Sequence, residues 1–352
     1  MTGLTGSTGM RVVVVGATGN VRTALLYRLQ TAAEVDSIVG ISRKGPDRGG
    51  PPYEGVEWHR IDVSDESAGP ELEEVMRGAD AVIDLVWVIR PNRDREHLRA
   101  VNVRGNERVF QAAVAAGVPH LVYASSVGAY GPGPKDRTVS EAHPTTGTPT
   151  SHYAAQKAEV EDLLDQLERE NPDMLVTRLR PGLIFQAGAA PEIKDYFLGD
   201  LVPTGLVDGL RVPVLPFPRG LRFQAVSAFD VAEAYWQVVR QKVGGAFNVA
   251  AEPVLDAQTM GQLLGAKRYL ELPMPVFRAA AALTYAARLQ PTDPGWLDMA
   301  ANVPVMDTSA IREAVGWEET STSQEAVREL LDHMNDAEGL GNAKHRSTSP
   351  VE

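Results

Sequence analysis

Tyr153 and Lys157 stand four residues apart in "SHYAAQKAEVEDLL", a stretch whose pattern predicts a helix, so both side chains project from one helical face. A phenol ordinarily titrates at about 10. An ammonium a few ångströms away stabilises the phenolate and brings the group toward neutral pH, where it can exchange a proton with a substrate oxygen. Twenty-seven residues before Tyr153, "YASSVGAYG" closes a predicted strand with Ser125 and Ser126, which brings hydroxyls to the carboxyl edge of a sheet. Such a hydroxyl can hold a carbonyl or alcohol oxygen in line with the phenol. The set suits hydride transfer between a carbinol carbon and a nicotinamide.

A nicotinamide arrives on a dinucleotide, which needs a phosphate cradle. "RVVVVGATGNVRTALLYRL", residues 11–29, runs from four valines through Gly16 and Gly19 into an amphipathic stretch, the order of a strand, a tight turn and a helix. Backbone N–H groups at such a turn can meet a phosphate. Arg22 occupies the place of the third glycine that these turns usually carry. It shares a helical face with Leu26 and Leu29, so it either pushes the helix outward or sends its head into the crevice. A cation in a first helical turn opposes the dipole, and a bound phosphate would reverse that sign. The expectation is a retuned site. At the end of the second strand, "IVGISRKG" offers Ser42, Arg43 and Lys44 where an acidic residue would hold the ribose hydroxyls of NAD. A hydroxyl followed by cations suits the extra phosphate of NADP(H), with NAD(H) left open and a solvated basic turn as the alternative.

The runs "RVVVVG", "SIVGIS", "AVIDLVWV", "HLVYASS" and "MLVTRLRPGLIF" alternate with amphipathic stretches. That alternation predicts an α/β chain with a Rossmann-type doubly wound parallel sheet, and ligands across the carboxyl ends of its strands. The dinucleotide-binding domain is expected over 10–185, with 223–250 packing back on it. The Pro- and Gly-rich texture from 186 predicts a smaller C-terminal substrate-binding lobe over 186–335, with disordered tails at 1–9 and 336–352. In "FQAVSAFDVAEAYWQVVRQ", Asp230 falls near a helix start, where a carboxylate complements the dipole.

The chain has 352 residues, 43% hydrophobic and 23% charged, a formal net charge of −12 and no cysteine. Disulfides, thiolate nucleophiles and cysteine-ligated metals are excluded, and the acidic balance argues against nucleic acid or an anionic membrane as partner. No window approaches a membrane span, the first nine residues lack the order of a signal peptide, and a cytoplasmic protein is expected. No two histidines have the helical spacing of a metal pair, so no metal is expected. His143 and His152 read as surface residues.

In the order and spacing of "GATGNV", "IDVSD", "NVRGNERVFQAAVAAGV", "YASSVGAYG", "YAAQK", "RPGLIF", "FDVAEAY" and "AVGW", the chain resembles the extended short-chain dehydrogenase/reductases, the NAD-dependent epimerase/dehydratase family, over residues 10 to 335. The resemblance implies that Ser126, Tyr153 and Lys157 are catalytic, with Asn102 near them. It implies a cofactor lying along Gly16, Thr18, Gly19, Asn20, Val21 and Arg22, with Ser42 and Arg43 at its ribose and Asp62 and Val63 at its adenine. Leu85, Val86 and Trp87 fall on the loop after the fourth strand, Ala124 and Ser125 beside the nicotinamide ribose that Lys157 also bonds, and Pro181, Gly182 and Leu183 near the carboxamide. Family members pair through two long helices, which implies a homodimer through "NVRGNERVFQAAVAAG" and "AAQKAEVEDLLDQLERE".

Departures from the family bear on substrate. Phe223 stands where sugar-nucleotide members place a diphosphate-binding arginine, and Val127 and Gly128 stand where sugar dehydratases carry an Asp-Glu pair. Trp87 replaces a small residue, and with Phe185, Phe217 and Phe223 it suggests a less polar ketone or alcohol. Substrate contacts are expected from Trp87, Val127, Phe185 and Phe223. Three functions compete: an NADP(H)-dependent oxidoreductase, a sugar epimerase that keeps its NAD, and a non-redox or binding protein whose cofactor site Arg22 has altered.

Overall fold

The computed structural model describes residues 9–17, 20–46, 49–89, 93–185, 213–290 and 292–332. Thr18 and Gly19, nearly all of both expected tails and the segment 186–212 lie outside the described residues. Four buried valines make β1 (Met10–Val15) the middle of a sheet. On one side of it lie β2 (Val35–Ile41) and β3 (Glu57–His59). On the other lie β4 (Ala81–Asp84), β5 (His120–Ala124), β6 (Leu175–Pro181) and β7 (Gly245–Val249). The seven strands follow the order β7-β6-β5-β4-β1-β2-β3, and every neighbouring pair is parallel. This is the doubly wound sheet that the alternation predicts.

Both faces are covered. On one, α1 (Asn20–Gln30) and α5 (Ala228–Gln241) pack Leu25, Leu26 and Leu29 with Tyr235, Trp236 and Val239 against the sheet. An Arg28–Glu233 ion pair joins the two helices. On the other face, α2 (Gly69–Met76), α3 (Asn106–Ala115) and α4 (His152–Glu170) bury Leu72, Met76, Val109, Phe110, Val160 and Leu164. Among the described residues no helix is long and apolar enough to cross a membrane.

Asp230 does more than face a helix dipole. Ser227 caps α5, whereas the buried Asp230 carboxylate accepts from Thr320 N and Oγ at 2.9 and 2.6 Å. Its carbonyl accepts from Trp317 Nε1 at 2.9 Å, so one residue fastens the late "AVGW" segment to the sheet's helical cover.

His120, at the start of β5, is 3% exposed and bonds Thr177 Oγ1 through Nε2 at 2.8 Å. Burial, assisted by the Lys242 charge, lowers it to about 4 from 6.5. Between those values the unfolded chain takes up a proton that the folded chain refuses, so stability falls on acidification through that window. The expected loss is roughly 3 kcal/mol. Denaturant titrations of the wild type and His120→Gln between pH 7 and 4 check this; equal slopes in the two proteins would clear His120 of the effect.

Candidate active site

Ser151 caps α4, its Oγ accepting from Ala154 N at 3.4 Å, which sets Tyr153 in the first turn and Lys157 one turn on. Ser126 ends the chain segment after β5, and its Oγ accepts from Gly128 N at 3.0 Å, capping the short 3-10 turn Val127–Ala129. The Tyr153 ring lies against Trp296, with centroids 4.9 Å apart and planes tilted by 37°, and Trp87 meets it edge-on at 5.5 Å. A Cβ on Gly128 would stand 2.8 Å from the Tyr153 ring and 3.0 Å from Met299 Sδ, so the glycine provides the room in which the phenol sits. Burial pushes the Tyr153 phenol up, and a Ser126 hydrogen bond acts in the opposite direction.

Lys157 is 2% exposed, and its Nζ donates to the Ala124 carbonyl at 2.6 Å and the Tyr123 hydroxyl at 3.2 Å. The Trp87 ring covers it at 3.6 Å. Desolvation lowers Lys157 to about 7 against the attraction of Asp84 and Glu161, with Arg22 adding to the lowering. In this geometry the ammonium is turned to β5 and capped by an indole. Asp84, fully buried at the end of β4, is pushed up to about 7 by desolvation, which outweighs the Val86 N–H and the Lys157 and Arg22 charges.

The other candidate residues gather on the loop after β4. Asn102, in the π-helical turn Ala100–Gly105, donates to the Val88 carbonyl and accepts from the Val88 N–H, both at 2.8 Å. Its amide nitrogen also donates to Gln156 Oε1 at 3.0 Å, so the side chain ties the Trp87 loop to α4. Arg22 sends its guanidinium to the same loop, at 2.9 Å from the Leu85 carbonyl and 3.4 Å from that of Trp87.

At the end of β1, Gly16 has φ 74°, and a Cβ there would meet Val86 N at 3.1 Å and Leu85 at 3.2 Å. Only glycine lets β1 turn this close to Leu85 and Val86. Asn20 and Val21 open α1, where Val21 packs against the core. Ser42 is buried and accepts from Gly45 N at 3.0 Å, while Arg43 and Lys44 are exposed. Asp62 accepts from Ser64 N and Oγ, and Val63 is buried beside it. Pro181 ends β6, with Gly182 and Leu183 leading into a short strand.

Of the expected substrate residues, Trp87 and Val127 flank Tyr153. Phe185 and Phe223 do not join that group: they pack with Ala225, Leu255 and Val327 in a separate apolar cluster. In their place the structure brings Trp296 and Met299 of α6 (Gly295–Asn302) to the phenol. Asp293, 7% exposed, docks this helix. Its carboxylate lies 3.1 Å from His152 Nδ1 and 2.7 Å from Arg95, so His152 belongs to a clasp. His152 and Arg95 hold Asp293 well below the usual carboxylate range although burial acts the other way. The only sequence sign of this was an apolar "GWLDMA" distant from the Tyr153 helix.

No sequence pattern singles out Glu161. It lies one turn beyond Lys157, with no exposure, and accepts from Ser125 Oγ at 2.5 Å, from Arg180 Nε and Nη2 at 2.8 Å each and from Arg178 Nη1 at 3.2 Å. Desolvation raises it, and the arginines with Ser125 outweigh that and keep it ionised.

Comparison with known proteins agrees with this architecture. A family model described as the NAD dependent epimerase/dehydratase family matches residues 12–250. An uncharacterised protein of Mycobacterium tuberculosis is 25% identical over 233 residues, 65% of this chain and 58% of its own length. The chain thus spans less than two thirds of such curated relatives. An L-arabinose 1-dehydrogenase (NAD(P)(+)) of Haloferax volcanii is 32% identical over 116 residues, 33% of this chain and 41% of that one. A Thermus thermophilus UDP-glucose 4-epimerase, solved with NAD, superposes with a TM-score of 0.66 at 21% identity, covering 93% of this chain and 100% of the other.

Proposed function

The chain belongs to the NAD-dependent epimerase/dehydratase family, and from that premise we propose that it is a dinucleotide-dependent oxidoreductase that acts on a small, weakly polar ketone or alcohol. The observation that carries this reading is the setting of Tyr153, a phenol bonded by Ser126 and walled by Trp87, Trp296, Met299 and Val127.

The residues present fit a dinucleotide. Gly16, at φ 74°, turns the chain sharply at the end of β1, as a phosphate-binding turn between strand and helix requires, and Ser42, Arg43, Asp62 and Val63 follow β2 and β3 at the same carboxyl edge of the sheet. When bound, the nicotinamide supplies the hydride or accepts it. Everything else falls to side chains. Burial keeps the Tyr153 oxygen protonated at neutral pH, so the resting group is an acid, suited to giving its proton to a carbonyl oxygen during reduction. Ser126 holds that oxygen by its hydroxyl. The indole faces and Met299 make an apolar wall beside the phenol, which suits a weakly polar substrate.

NADP(H) is the preferred cofactor in this reading, supported by the exposed Arg43 and Lys44 at the end of β2. Calorimetric titration with NADPH and NADH tests both levels. Arg43→Ala should weaken NADPH by roughly 10- to 100-fold, the worth of charged hydrogen bonds to a phosphate, and leave NADH nearly unchanged. Equal losses for both nucleotides would remove the 2′-phosphate assignment.

A further inference from the structure

Lys157 Nζ has three N–H donors, and each is directed to a protein group in this structure. The Ala124 carbonyl is at 2.6 Å, the Tyr123 hydroxyl at 3.2 Å, and the face of the Trp87 ring at 3.6 Å. A ribose hydroxyl or the Tyr153 oxygen can gain the ammonium only if one of these gives way. The first two belong to β5 in the middle of the sheet. The third is a side chain on a loop, and it is the one that can move.

The main chain of that loop is held from several directions. Asp84 Oδ1 accepts from Val86 N at 2.9 Å, and Asn106 donates to the Val86 carbonyl at 3.2 Å. Asn102 takes both polar groups of Val88, and Arg22 takes the carbonyls of Leu85 and Trp87. The Trp87 side chain is held differently. Its Nε1 is shut away from solvent and has no hydrogen-bond partner among the described residues, an unfavourable state for an N–H. What holds the ring is non-directional: it packs against the core cluster around Val82 and Val86 and makes ring contacts to Lys157 and Tyr153.

We infer that Trp87 is a gate on the Lys157 ammonium, closed in this structure, which turns aside on a fixed main chain before a dinucleotide seats. Arg22 is the tie that keeps that main chain in place, which gives the residue in the third glycine's position a task on the loop. The gate rests on the reading of the crevice as a dinucleotide site. Its opening frees one donor of Lys157 for a ribose hydroxyl or the phenol, so cofactor entry and the arming of Tyr153 become one event.

Binding of NADPH and of NADH, followed by nucleotide fluorescence in a stopped-flow instrument, reads the gate without turnover. In the wild type the observed rate should level off as nucleotide rises, since opening precedes entry. In Trp87→Ala the rate should rise in proportion to concentration, and the dissociation constant should fall by about tenfold because no closed population remains to be reopened. Trp87→Phe keeps a ring with a weaker face for a cation and should lie between the two. Equal rates and constants in all three proteins would overturn the gate and leave the dinucleotide reading standing. No binding by any of the three would overturn the dinucleotide reading and the gate with it. Circular dichroism shows whether Trp87→Ala folds; if it does not, the comparison of Trp87→Phe with the wild type decides.

Discussion

Tyr153→Phe should lower kcat by about 100- to 10,000-fold, the usual worth of a positioned proton donor. Dinucleotide affinity and melting temperature should stay near the wild-type values. The reason lies in what the substitution removes. The Tyr153 ring makes its contacts with Trp296, Trp87 and the apolar group of Met299 and Val127, and a phenyl ring keeps all of them. The oxygen's tie is to Ser126. Loss of the oxygen therefore separates chemistry from packing. Steady-state rates on a ketone panel, with calorimetric binding of the nucleotide beside them, make the measurement. Retention of kcat within about threefold would mean that another group moves the proton.

Glu161→Ala should destabilise the protein by about 3–5 kcal/mol, the cost of removing one partner from a buried charge pair. That is a fall in Tm on the order of 10 °C for a chain of this size. Glu161 is wholly buried, and Arg178 and Arg180 are 6% and 4% exposed, so neither guanidinium regains water when the carboxylate goes. Arg178 keeps Asp165 and Glu168, and Arg180 keeps the Tyr130 hydroxyl at 3.1 Å and the Glu141 carbonyl at 3.0 Å. These soften the loss without cancelling it. Ser125 loses its acceptor next to Ser126, so kcat should also fall. Scanning calorimetry of Glu161→Met, Arg180→Met and the Glu161→Met/Arg180→Met double variant, run beside Glu161→Ala, forms a cycle. The double variant should lose clearly less than the sum of the two single losses; strict additivity would mean that the pair does not act as a unit.

How much of this could be read from the chain depends on the distance over which each signal acts. The strands came from continuous apolar runs, because a strand buried on both faces has no polar position to interrupt it. β3 left no such run: Glu57, Trp58 and His59 form an edge strand whose residues are exposed or half-buried. The pairing of Tyr153 with Lys157 on one helical face followed from helical periodicity alone. The direction of the Lys157 ammonium did not, since it depends on Ala124, Tyr123 and Trp87 from two other strand ends.

The packing of Phe185 and Phe223 was beyond the reach of the sequence for a related reason. An aromatic near the site in sequence order is equally able to pack under a late helix, and here Val327 and Leu255 claim both rings.

By itself the sequence determined a doubly wound parallel sheet, a glycine turn at Gly16 and a serine, tyrosine and lysine set on adjoining elements. Each of these is a local pattern, set by backbone geometry within a few residues. Only the tertiary structure decided what the set faces. It brought Trp296 and Met299 over the phenol from more than 140 residues away, and it buried Glu161 between two arginines of β6. It also joined Arg22 to the loop that lays Trp87 across Lys157. Such contacts follow from how whole layers pack, and no periodicity within one segment carries them.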